Sequence, residues 1–214
     1  MKFFKQKTIW WPTWQSWLIL LAAAALLMTL FFIHAHQFLA VTQRSEGADI
    51  LVVEEWMPAV VAQAAAREFA SGQYRLLLVS GLREQTDKED SANRGRKSSM
   101  FRRLVSLGVP EDRLMECHAP MTEAHRSAAM AGAVKNIISE KGIAAKGVNV
   151  MAPATHARKT WLVHRRTLLP GIPVGIVAVL PGNYNPARWW LNSQSAKWVL
   201  TNYAGLFHEW VTGF

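Results

Sequence analysis

Hydrophobic and polar positions along this chain fall into two regimes. From Thr8 to Ile33 no charge interrupts the sequence, and Trp17 to Ile33 is almost wholly apolar. A helix rises about 1.5 Å per residue, so this run is long enough to cross a hydrocarbon core of about 30 Å. Beyond it, short apolar runs alternate with amphipathic stretches. Strands are predicted at 49–53, 76–79, 114–117, 147–152 and 174–180, where branched and apolar residues cluster between turn signals. Helices are predicted at 59–71, around Met100, Phe101, Leu104 and Val105, and at 122–141, 155–168 and 193–211. Gly72, Gly108, Gly142 and Pro170-Gly171 supply stops. A charged loop, 83–96, and a second loop, 181–186, complete the order. Five strands alternating with helices imply right-handed crossovers. The expected fold is α/β, a Rossmann-like three-layer sandwich with a mainly parallel five-stranded sheet, preceded by one transmembrane helix.

The organisation that follows is a short basic segment at 1–12, a transmembrane helix at 13–36, a connector at 37–46 and an α/β domain at 47–214. Trp10, Trp11, Trp14 and Trp17 crowd one end of the span like an interfacial belt, and Lys2, Lys5 and Lys7 precede it. The positive-inside rule then places the N-terminus in the cytoplasm and the α/β domain outside. The apolar run is longer than a signal-peptide core of about 7–15 residues, and no convincing small-x-small cleavage site follows, so an uncleaved anchor is expected.

Charge sharpens this picture. Three of the 24 lysines and arginines precede the span, leaving 21 basic residues against 15 acidic ones beyond it. Such an excess beside a membrane favours anionic headgroups or glycan carriers as partners, along with the bilayer itself and other envelope proteins. The external topology disfavours nucleic acid. Cys117 is the single cysteine, which excludes an intrachain disulfide and reads as a small core residue.

In a parallel α/β sheet, ligands bind beyond the carboxyl ends of the strands. The unusual residues gather in the segments expected there. Thr155, His156 and Arg158 open a helix, where a cation costs about 0.3–1 kcal/mol unless an anion is bound. Thr155 and Arg158 are therefore candidate anion ligands, and His156 a candidate proton carrier. Glu54 follows a wholly apolar strand and is a candidate general base, since a buried carboxylate needs a partner or a raised pKa. Glu123 is a third catalytic candidate, with helix-dipole compensation as its plain alternative. Ser80 and Gly81, followed by Arg83, and Thr122 with Arg126 complete the anion-binding set. Thr122 is also the expected N-cap of its helix. No metal-ligand spacing such as His-Glu-x-x-His occurs, so no metal site is expected, and no cofactor is identified.

The chain resembles the SanA/ElyC/YdcF-like family of bacterial envelope proteins over nearly the whole α/β domain. The resemblance is carried by Val53-Glu54-Glu55-Trp56, Val79-Ser80-Gly81, Leu107 to Leu114, Thr122 to Ala128 and Thr155 to Lys159. With Tyr184 to Trp190, these residues mark a divergent branch: the family commonly has glycines where Glu54, Glu55 and Trp56 stand, and often Asn at the place of His125. The resemblance implies a Rossmann-like fold in the bacterial inner membrane and a role in envelope or peptidoglycan physiology. The expected function is binding or processing a phosphorylated or otherwise anionic precursor, as a hydrolase or transferase. The alternatives are a non-catalytic scaffold module and a nucleotide-type cofactor binder, the latter weakened by the lack of Gly-x-Gly-x-x-Gly.

Overall fold

The structure, a computed structural model, describes residues 11–83, 97–168, 170–180, 182 and 184–212. Most of the basic segment and of the 83–96 loop, and Pro181 and Asn183 of the second loop, lie outside the described residues. The chain divides into two units, 1–35 and 36–214.

The first unit is dominated by α1 (Trp14–Leu39), whose last turn belongs to the second. With a mean hydropathy of 2.5, α1 is long and apolar enough to cross a membrane. Its side chains fit that environment: Trp14, Ile19, Leu21 and Leu27 are all more than 60 % exposed.

The second unit alternates β1 (Ile50–Glu54), α2 (Ala59–Ala70), β2 (Leu76–Arg83), α3 (Ser99–Ser106), β3 (Leu114–Pro120), α4 (Arg126–Glu140), β4 (Val148–Pro153), α5 (Ala157–Leu168), β5 (Val174–Val179) and α6 (Ser193–Thr212). The five strands form one parallel sheet in the order β3-β2-β1-β4-β5. Every residue of β1 is buried, as a central strand covered on both faces requires. α2 packs with α3, and α4 with α5. The order reverses between β1 and β4, which makes their carboxyl ends the topological switch point.

Two helix starts differ from those predicted. α4 starts at Arg126, because His125 before it adopts φ 51°, a left-handed conformation that cannot continue a helix. Thr122 is not its cap: the hydroxyl donates to the Ala124 carbonyl at 2.8 Å. At β4, Ala154–His156 form a 3₁₀ turn, so the α-helix itself begins at Ala157.

The expected connector is packed onto the domain. Gln43 exchanges backbone hydrogen bonds with Ile176, 2.8 Å each way, as an antiparallel bridge on β5. The Ser45 N–H donates to buried Asn149 Oδ1 at 2.8 Å, and Asn149 Nδ2 donates to the Tyr74 hydroxyl at 2.9 Å. Tyr74 donates in turn to Glu68, which also takes a two-pronged ion pair from Arg44 at 2.7 and 2.9 Å. This network explains the glycine at 175. A Cβ there would lie 2.0 Å from Asn149 Oδ1 and 2.2 Å from the Ser45 nitrogen.

Replacing Asn149 by Ala leaves the part-buried Ser45 N–H without its acceptor and takes one of two hydrogen bonds from the Tyr74 hydroxyl, and is expected to cost about 2 kcal/mol or more. Gly175→Ala is expected to cost at least as much, because backbone has to move. Both are read as lower midpoints in thermal melts of the detergent-solubilised chain; an unchanged midpoint would mean that the connector is not held by this network.

Candidate functional site

At the end of β1 the sequence turns from four buried aliphatics to a carboxylic acid. Glu54 is fully buried. Its Oε2 accepts a 2.6 Å hydrogen bond from the Trp56 indole N–H, while Oε1 is shielded from solvent and has no partner among the described residues. Burial pushes the carboxyl up to about 7, against the Trp56 hydrogen bond and the charges of Lys159 and Arg126. These two cations stand in the first turns of α5 and α4.

Ser80 pairs in register with Glu54 on the adjacent strand. In a parallel ladder such partners face the same side of the sheet. Its hydroxyl is also buried and unpartnered among the described residues. Gly81 serves a different purpose from an anion cradle. A Cβ there would meet Glu55 Oε2 at 2.4 Å, and that carboxylate faces His118 Nε2 at 3.6 Å. The space over Gly81 thus holds a side chain of the wrong sign for an anion.

His156 lies across the switch point, in the 3₁₀ turn after β4. Its ring meets Trp56 edge-on, with centroids 5.3 Å apart, so Trp56 touches both Glu54 and His156. His156 Nδ1 is 2.8 Å from Asn202 Oδ1. The Asn202 amide is oriented by donating from Nδ2 to the Trp198 carbonyl at 2.8 Å and to Thr155 Oγ1 at 3.2 Å. An amide oxygen only accepts, so Nδ1 carries the proton and Nε2 of the neutral ring is left as an acceptor. That Nε2 is buried and unpartnered among the described residues. Burial lowers the His156 pKa, favouring the neutral form. Beside the pair, Trp56, Thr155, His156, Tyr184, Trp198 and Asn202 line a hollow of about 210 Å³.

The predicted anion set does not converge here as a whole. Arg158 leaves this hollow: its Nε donates to the Phe38 carbonyl, and its guanidinium lies 4.0 Å from the Phe38 ring centroid. Lys159, one position on, takes its expected place beside Glu54. Lys159 Nζ also pairs with Glu209 Oε1 at 3.5 Å. Glu123 is exposed before α4 and is not among the groups whose charge reaches Glu54. Arg83 ends β2 with an exposed side chain, and its charge acts on His118. Thr155 is buried as a partner of Asn202, and Arg126 contributes charge from the exposed start of α4.

His164, whose place in a basic run suggests a solvated face, is wholly buried. Its Nδ1 is 3.0 Å from the Thr160 carbonyl, and burial pushes it down to about 4. Cys117 is buried with its thiol pushed up to about 12, which makes it an inert core residue. Among the described residues no group of three or more His, Cys, Asp or Glu side chains is arranged to hold a metal ion. No model of a known protein family matches the chain, and no curated protein matches it.

Glu54 and His164 give stability opposite pH dependences. A carboxyl raised to about 7 favours the fold fully below its ordinary value of 4.5, a contribution lost as pH rises through 7. A histidine lowered to about 4 favours it above 6.5, a contribution lost as pH falls toward 4. Ionising Glu54 in place costs roughly 3 kcal/mol relative to the unfolded chain. Glu54→Gln, which keeps an acceptor for Trp56, should therefore raise the thermal midpoint at pH 8 and leave it nearly unchanged at pH 5. An equal effect at both pH values would show a carboxyl titrating in the ordinary range.

Proposed function

We propose that this is a membrane-anchored protein of the bacterial cell envelope, of the SanA/ElyC/YdcF-like kind, that binds and processes a phosphorylated or otherwise anionic precursor such as a lipid-linked glycan. The observation that carries this reading is the buried Glu54 carboxyl at the switch point, half-protonated near neutral pH and separated from a neutral imidazole acceptor by one indole. A carboxyl kept protonated near neutral pH and an imidazole kept neutral are equipped as the acid and the base of a proton transfer. His156 Nε2 takes a proton from an attacking water or hydroxyl, and protonated Glu54 gives one to the leaving oxygen. Arg126 and Lys159 hold the anionic group, aided by the helix starts from which they project. A bound anion would also raise Glu54 further, loading the acid when substrate arrives. The lysines before the span support an N-terminus in the cytoplasm and an α/β domain on the outer side.

The test uses the full chain in its membrane. Glu54→Gln and His156→Ala should each reduce envelope function by about 100-fold or more in rate while the protein still folds and reaches the membrane. The Gln variant should retain an anionic species, identified by mass spectrometry after detergent purification, that the wild type turns over. Full function in both folded variants would sink the catalytic reading and leave a binding or scaffold module.

A further inference from the structure

A second, larger hollow of about 370 Å³ has the Lys159–Glu209 ion pair in its lining. Its volume lies within the range of about 300–1,000 Å³ typical of small-molecule sites. Phe38, Leu162, Val163, Leu206, Phe207 and Trp210 supply its apolar wall. The polar lining is lopsided: Arg158, Lys159 and Arg166 against Glu209 alone among acidic groups. Phe38 closes the last turn of α1, the helix apolar enough to cross a membrane, and stacks on Tyr203 of α6 at 5.8 Å. Beside the hollow, α6 exposes Phe207, Trp210 and Val211, each at least 60 % accessible. Large aromatics left in the open at the exit of an apolar helix suit the bilayer interface.

We infer that this hollow takes the hydrocarbon chain of an anionic bilayer lipid, whose phosphate is held at the rim by Arg158 and Arg166. Phe38 follows Ile33, the last residue of the apolar run, by five positions, so the hollow it lines is close in sequence to the hydrocarbon boundary. The apolar wall matches the chain, and the excess of guanidinium groups matches a phosphate, which arginine binds through a planar fork of donors. Phe38 orients one of them, since Arg158 lies over its ring and donates to its carbonyl. The proposal rests on the function above only for the membrane anchor; it stands whether or not Glu54 is catalytic.

The test is native mass spectrometry of the full-length chain in detergent, titrated with phosphatidylglycerol, phosphatidylcholine of the same acyl chains, or inorganic phosphate. Phosphatidylglycerol should be retained roughly tenfold better than phosphatidylcholine, with no retention of free phosphate. Leu206→Trp, which fills the hollow, should reduce retention of both lipids by about tenfold. Arg158→Gln should abolish the preference between headgroups while keeping the chain-dependent binding. Leu162→Trp repeats the filling from α5 in case the first variant does not fold. Equal retention of the two lipids by the wild type, or retention unaffected in a folded filled variant, overturns the proposal. Glu54→Gln should keep the preference for phosphatidylglycerol over phosphatidylcholine, so a failure at the hollow is told apart from a failure of the acid–base reading.

Discussion

Much in the α/β domain follows from one costly placement, a carboxylic acid at the end of a strand buried on both faces. Glu54 cannot reach water, and only one of its oxygens has a hydrogen-bond donor among the described residues. The surroundings soften that cost without removing it. Trp56 returns its indole N–H two residues later, and Arg126 and Lys159, in the first turns of α4 and α5, add positive charge that favours the carboxylate. A fold selected for stability alone would place an aliphatic residue here, as at the four preceding positions of β1. The retained strain is located where ligands enter sheets of this topology.

The separation of Arg158 from Lys159 shows how helix geometry sorts charge. Consecutive residues on an α-helix are about 100° apart, so two adjacent cations cannot serve one ligand equally well. In α5 the first is turned to the carbonyl end of α1 and the second inward to Glu209 and Glu54. Neighbouring cations in sequence therefore take different partners, although both line the larger hollow. His156 escapes the same rule because it precedes the helix, in a 3₁₀ turn with its own direction.

The fold was legible because its signals are local. Runs such as Ile50 to Val53 and Leu76 to Val79 show the unbroken apolar character of covered parallel strands, and glycines with positive φ follow α2 and α3 at Gly72 and Gly108. The start of α4 was misread for an equally local reason: Thr122 has the composition of a cap, but the left-handed His125 intervenes. Glu54 and His156 were legible from their positions at the end of β1 and after β4. Asn202, which fixes the His156 tautomer, lies 46 residues away in sequence. One signal for it existed, a lone amide at helical spacing between Trp198 and Leu206. Lys159 and Glu209 were hidden because an ion pair between two helices leaves no mark in either helix alone.

That ion pair also sets how the two hollows must interact. Lys159 lines the larger one, pairs with Glu209 there, and at the same time opposes protonation of Glu54 and of His156. Whatever draws the ammonium toward the larger hollow weakens its hold on the Glu54 anion, and so raises the proton affinity of that carboxyl. Whatever strengthens the Glu209 pairing has the same sign. By linkage the effect is reciprocal: a proton or ligand at the switch point changes the affinity of the larger hollow by an equal factor. An occupant of the apolar hollow that moved this lysine would thus shift the proton affinity of Glu54.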